Sequence, residues 1–153
     1  MKPVLSENGL KVATVKHDGH TFEPDVPGTD SYRFFQAGAW ASLIYDNRKY
    51  SLTRQAGITE EEAPGLLPEA DIVLLEVFKW SGYPKMEIVR KENGKGPIPD
   101  MQGRIAYISD MELSEDDSLP VLKPWNIRVI AEFIRKAYVN GTLKERWKNE
   151  EDR

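Results

Sequence analysis

Both histidines of this chain lie in the run Lys16-His17-Asp18-Gly19-His20, with the stretch Asp25-Val26-Pro27-Gly28-Thr29-Asp30-Ser31 soon after it. Lysine supplies a compact positive charge, and imidazole supplies hydrogen-bond donors whose charge changes near neutral pH. Gly19 lets the backbone come close to a bound group. Lys16, His17 and His20 thus suit a phosphate or another anion. A His-x-x-His metal chelate is a second reading, although zinc would need a third ligand and Asp18 or Asp25 is only a guess. A polar turn whose histidines cap backbone groups is the third.

The acidic stretch divides similarly. Asp25 or Asp30 can hold a hydrated Mg²⁺, and Ser31 and the helix N-terminus can face an anion. Asp30 and Ser31 can equally serve as helix N-caps. Further along, Glu76 ends an apolar run and Lys79 follows three residues later. A carboxylate there can position Mg²⁺ and its waters, or pair with Lys79 at a sheet rim. Asp110 ends another apolar run and can accept from purine N–H groups or simply close a strand. No Ser–His–Asp spacing, nucleophile elbow or Cys–His pair is present, so covalent catalysis has no candidate.

These residues need a scaffold that brings strand ends together. Residues 12–15 form a short apolar run, read as a buried parallel strand whose following loop is a ligand position. Residues 1–9 read as the tail of a helix, with Asn8 and Gly9 suited to its C-terminal cap. A helix over residues 31–37 should start at Asp30 or Ser31 and stop at Gly38. Residues 40–45 and 50–53 should form a hairpin, and residues 57–69 a loop with at most one helical turn. Residues 71–78 carry unbroken Ile, Val and Leu, implying a central strand buried on both faces. Residues 86–90 and 104–109 read as further strands, and residues 112–117 as an acidic loop. Ile127, Ile130, Ala131, Ile134 and Tyr138 make one helical stripe over residues 127–139, between Asn126 and Asn140-Gly141 as caps. Phe34, Phe35, Trp40, Tyr45, Phe78 and Tyr107 are expected in the core. In the charged tail, Arg146/Glu150 and Lys148/Asp152 could support a helical extension at about 0.3 kcal/mol each.

Bulk properties narrow the class. A length of 153 residues suits one domain with a real core, here residues 1–142, followed by the charged tail 143–153. A net charge of −4 without a large basic block argues against a generic nucleic-acid partner. No apolar run approaches membrane-spanning length, so no membrane partner is expected. The absence of cysteine excludes disulfides and thiolate metal sites. With no apolar signal core at the N-terminus, a cytoplasmic location is the default.

The ordered runs KVATVKHDGH, PDVPGTDSYR, QAGA, DIVLLEVFK and YPKMEIVR resemble the molybdopterin-guanine dinucleotide biosynthesis protein B (MobB) family over roughly residues 2–140. The resemblance implies an α/β, phosphate-loop NTPase-like fold, with a mainly parallel sheet flanked by helices. It implies a GTP-binding accessory or adapter role, with Mg²⁺, beside the molybdopterin guanylyltransferase that attaches GMP to molybdopterin. The molybdopterin cofactor is a further implied ligand, and a second copy of the chain a further candidate partner. By the same resemblance Lys16, His17, His20, Asp25, Gly28, Asp30 and Ser31 belong to the ligand site, and Glu76 is the Mg²⁺-side carboxylate; Lys79 and Asp110 join the candidate ligand site from their strand-end positions. Hydrolysis would be at most weak. The family's GxxxxGKT/S phosphate loop and first strand have no counterpart here, and an N-terminally truncated chain is the expectation. Val77 stands where the family has glycine; a β-branched residue does not easily take φ > 0 and would crowd a phosphate. The alternatives are an adapter keeping only protein or cofactor contacts, and a small His-based metal-dependent hydrolase.

Overall fold

The computed structural model describes residues 2–7, 9–20, 22–23, 25–113 and 118–143. Asn8, most of the acidic loop and the tail with its expected ion pairs lie outside them. The elements run α1 (Lys2–Ser6), β1 (Val12–Lys16), α2 (Asp30–Gln36), β2 (Ala41–Tyr45), β3 (Tyr50–Arg54), β4 (Ile72–Glu76), β5 (Lys85–Val89), β6 (Arg104–Ser109), β7 (Val121–Leu122) and α3 (Ile127–Val139). A single 3₁₀ turn, Ala63–Leu66, interrupts the loop before β4. The chain forms two compact units, one of residues 18–59 and one of the remainder.

In the larger unit β1 pairs in parallel with β4, from Val12 opposite Ile72 to Lys16 opposite Glu76. β5, β6 and β7 form a second parallel sheet. Helix α3 supplies the covering face: Ile130, Ala131 and Ile134 are buried with Leu5 of α1, Ile72 of β4 and Ile108 of β6 in one cluster. The apolar repeat of α3 accounts for this, since positions three and four apart share a face. Asn126 caps the helix by accepting from the Val129 N–H, and Asn140 with Gly141 (φ 76°) ends it. Ala137 fills an inward position, whereas Ile127, expected in the stripe, is largely exposed on the first turn.

A buried ion pair fixes β5 to β6. Glu87 faces Arg104 at 2.8 Å, and both side chains are almost fully covered. The second Glu87 oxygen accepts from the Ile98 N–H at 2.7 Å, while Arg104 donates to the Ile98 carbonyl. Arg104 also donates to the Tyr107 hydroxyl at 2.7 Å. The loop after β5 is thereby pinned to the sheet by both backbone groups of Ile98. Charges withdrawn from water this far require such close pairing.

The smaller unit holds α2 and the β2–β3 hairpin, the latter closely as expected. The aromatic side chains depart from expectation. Tyr107 and Phe78 are buried, but Phe34, Trp40 and Tyr45 are each more than half exposed. They belong to a two-stranded ribbon and one short helix, which cannot enclose a core without a third layer.

β4 also differs. Its apolar run predicts burial on both faces, yet only Ile72 is buried, with Val73, Leu74 and Leu75 half-buried. Among the described residues β4 pairs on one edge alone. The run β1 is half-buried for the same reason.

Candidate functional site

The larger unit brings part of the expected site together at the carboxyl ends of β1 and β4. Lys16 and Glu76 are direct cross-strand partners there, both exposed. Their opposition follows from the parallel register and puts a lysine and a glutamate on neighbouring strands at a strand terminus. His17 continues from Lys16, and its Nδ1 lies 3.1 Å from Glu60 Oε1. That partner was not anticipated, because nothing in the run Glu60-Glu61-Glu62 distinguishes its first member from a solvated acidic turn. The contact engages one imidazole nitrogen and leaves the other for a ligand.

Beyond Glu76 the backbone turns sharply. Val77 has φ 82°, the conformation a β-branched residue was expected to resist, and the Lys79 N–H donates back to the Val77 carbonyl. The result is a tight three-residue turn at the strand end, with Lys79 exposed beyond it. Val77 thus holds the positive φ that a β-branched residue does not easily take. A valine at positive φ costs about 1–3 kcal/mol, and its side chain stays largely in solvent, away from steric crowding.

Asp110, at the end of β6, accepts from the Lys91 N–H at 2.8 Å through one oxygen. It thus closes the turn after β5, and its second oxygen can still accept from another donor.

The smaller unit holds the rest. His20 donates its backbone N–H to Asp18 Oδ1 at 3.2 Å, a local turn that uses no ring atom. Asp25 Oδ1 accepts from the Val26 N–H at 2.7 Å and from the Thr29 hydroxyl at 3.2 Å. The Ser31 hydroxyl, these two donors aside, is the main influence holding the Asp25 carboxyl below its ordinary value. The N-cap of α2 is Thr29, not Asp30 or Ser31, because its hydroxyl accepts from the Tyr32 N–H. The ordinary N-cap preference for threonine could have located it. Asp30 instead pairs with Arg33 one turn on, at 3.5 Å. Gly28, at φ 95°, allows the chain to enter the helix.

His17 and His20 belong to different units. Among the described residues no group of three or more His, Asp or Glu side chains could hold a metal ion together. His17 is engaged by Glu60 and His20 turns its backbone into a local hydrogen bond, and among the described residues the histidine chelate has no third member.

Comparison with known proteins places this arrangement. The chain aligns at 27% identity over 140 residues with the molybdopterin-guanine dinucleotide biosynthesis adapter protein of Escherichia coli, covering 86% of this chain and 79% of the relative. It aligns at 28% identity with the Haemophilus influenzae protein of the same name, covering 86% and 75%. The crystal structure of Bacillus subtilis MobB superposes with a TM-score of 0.67 at 26% identity, over 88% of this chain and 86% of that one. Parallel strands with flanking helices, ending in an exposed lysine–carboxylate pair, agree with a phosphate-loop NTPase-like α/β fold. The family model for molybdopterin guanine dinucleotide synthesis protein B matches residues 1–110, and the chain belongs to that family.

Proposed function

We propose that this chain is an adapter in molybdopterin-guanine dinucleotide biosynthesis that binds guanine nucleotide with Mg²⁺ and acts beside the molybdopterin guanylyltransferase. The observation that carries the nucleotide part is Lys16 opposite Glu76 at the carboxyl ends of two parallel strands. Ligands of open α/β sheets bind at that end. The donor set suits the group. Mg²⁺ keeps most of its waters and needs only one or two carboxylates, so a single exposed Glu76 can orient its hydration shell. Lys16 neutralises a phosphate oxygen as a point charge. Held by Glu76, Mg²⁺ would supply positive charge against the phosphates. As an imidazolium, His17 would add a second ring N–H donor beside Lys16 while keeping its contact with Glu60. Asp110, through its open oxygen, is a candidate acceptor for the N–H groups of guanine. In this reading the chain holds nucleotide rather than hydrolysing it rapidly.

A second copy of the chain is the partner we propose for the hairpin. Leu43 faces Leu52 and Tyr45 faces Tyr50 across the β2–β3 ribbon, with Ala41 and Arg54 completing that face. All four large side chains are substantially exposed. Like faces like, with one charge at the edge, which suits a two-fold contact in which the same patch meets itself. Apolar faces of this kind mark protein contacts more often than free surface.

Surface plasmon resonance against immobilised guanylyltransferase tests the adapter role. Saturable binding that strengthens with Mg²⁺ and GTP, and not with Mg²⁺ and ATP, is the expected result. Binding indifferent to nucleotide would favour an adapter that keeps only protein or cofactor contacts. No binding by folded protein would contradict both.

A further inference from the structure

His17 is the first residue past β1, and the carboxylate that meets it comes from the loop before β4. Glu60 Oε1 lies 3.1 Å from His17 Nδ1, with the histidine and glutamate side chains 53% and 39% exposed. Of the three consecutive glutamates at residues 60–62, Glu60 is partly covered, whereas Glu61 and Glu62 are exposed. The segment that follows anchors it. Ala63 and Pro64 are buried in the 3₁₀ turn Ala63–Leu66, and the Gly65 N–H donates to the Glu62 carbonyl at 3.0 Å. An exposed pair of this kind contributes little to stability. Its main consequence is for the imidazole. An ionised carboxylate only accepts hydrogen bonds, so the contact requires a proton on Nδ1. Nε2 is then the nitrogen left for a ligand, whichever charge the ring carries.

We propose that Glu60 is a positioning residue of the nucleotide site: it takes the Nδ1–H of His17 and so fixes Nε2 as the atom that meets a phosphate oxygen beside Lys16. The proposal rests on the nucleotide reading above and adds to it a residue that itself touches no nucleotide. In the bound state His17 is an imidazolium, with Nδ1–H donated to Glu60 and Nε2–H to the phosphate. The bond made by one ring nitrogen sets what the other presents, and a carboxylate on Nδ1 is a common means of doing so. Without Glu60 the ring is free to turn and to exchange tautomers. The sign of the effect separates this role from a direct one. By charge alone a carboxylate near a polyphosphate repels it, so its removal should tighten binding. A carboxylate that acts through the histidine does the opposite, and its removal weakens binding.

The test combines calorimetric titration of GTP with Mg²⁺ and nitrogen NMR of the His17 ring. Glu60→Ala should bind about fivefold more weakly than wild type, the loss of roughly one hydrogen bond. Glu60→Gln keeps an acceptor oxygen and drops the charge, so it should bind at least as tightly as wild type. In a His17→Ala background, Glu60→Ala should weaken binding no further, because the histidine through which it acts is gone. Without nucleotide, in mildly alkaline buffer, wild-type His17 should carry its proton on Nδ1, and Glu60→Ala should move it toward Nε2. Equal or tighter binding by Glu60→Ala, the same loss in the absence of His17, or an unmoved tautomer would overturn the proposal. Failure of the nucleotide reading looks different. Wild-type protein would then bind no GTP while the His17 tautomer still depended on Glu60, and the proposal would fall with its ligand rather than with its geometry.

Discussion

At the residue scale the chemistry turns on how few side chains do each task. Asp25 is held ionised by the Ser31 hydroxyl first and by the Val26 and Thr29 donors with it. A carboxyl with a lowered folded-state pKa contributes stability above its unfolded value, near pH 4, and loses it as pH falls through the lower folded value. Following the Asp25 carboxyl carbon by NMR should give a midpoint below the ordinary range, moved upward in Ser31→Ala. An unmoved midpoint would mean that Ser31 does not hold it. Val77 makes a different point. Its φ of 82° is left-handed territory in which glycine carries no side-chain penalty. Val77→Gly relieves strain and adds backbone entropy to the unfolded chain, and the balance favours stability by about 1 kcal/mol. Thermal unfolding should shift upward by roughly 3 °C. A lower midpoint would show that the valine is not strained.

At the scale of elements, the most consequential contacts are those that hold strands in place. The Glu87–Arg104 pair is nearly closed to water, and Glu87→Ala would leave a buried guanidinium without its carboxylate. Breaking one side of such a pair costs about 3–5 kcal/mol. Replacing both partners with apolar side chains of similar volume should cost much less than either single change, measured by urea unfolding. Equal losses in the double and single variants would show that the pair itself contributes little. The hairpin is tested by charge. Leu43→Lys would place a cation against itself in the proposed two-fold contact, so sedimentation should show a dimer for the parent and a monomer for the variant. An unchanged mass distribution would remove the hairpin as the contact.

Much of this layer was legible in the sequence. The stripe and caps of α3 are local properties of residues 126–141, and they reappear nearly unchanged in the structure. The hairpin was similarly clear from its turn and apolar runs. What did not follow is non-local. Glu60 reaches His17 across forty-three positions, and no spacing rule predicts it. The Glu87–Arg104 cluster depends on which strands lie side by side. The exposure of Trp40 and Tyr45 was missed because apolarity was read as burial, whereas burial requires another element to pack against.

At the scale of the whole molecule, family membership rests on the ordered runs over residues 1–110 rather than on any one motif. The site, by contrast, divides between units. Lys16, His17, Glu76, Lys79 and Asp110 belong to one, and His20, Asp25, Gly28, Asp30 and Ser31 to the other. The strand-end pair is the part whose chemistry is defined within a single unit, so the nucleotide claim stands or falls there. The sequence could name these residues because the family runs contain them. Only the β1–β4 register could show that Lys16 and Glu76 stand opposite each other.

Isothermal titration of Mg²⁺ and GTP into the folded chain, repeated on Lys16→Ala, measures that claim directly. One-to-one saturable binding, weakened at least about tenfold (~1.4 kcal/mol) by the substitution, is the predicted result. Heats of dilution alone from folded wild-type protein, or binding untouched by the loss of Lys16, would contradict it.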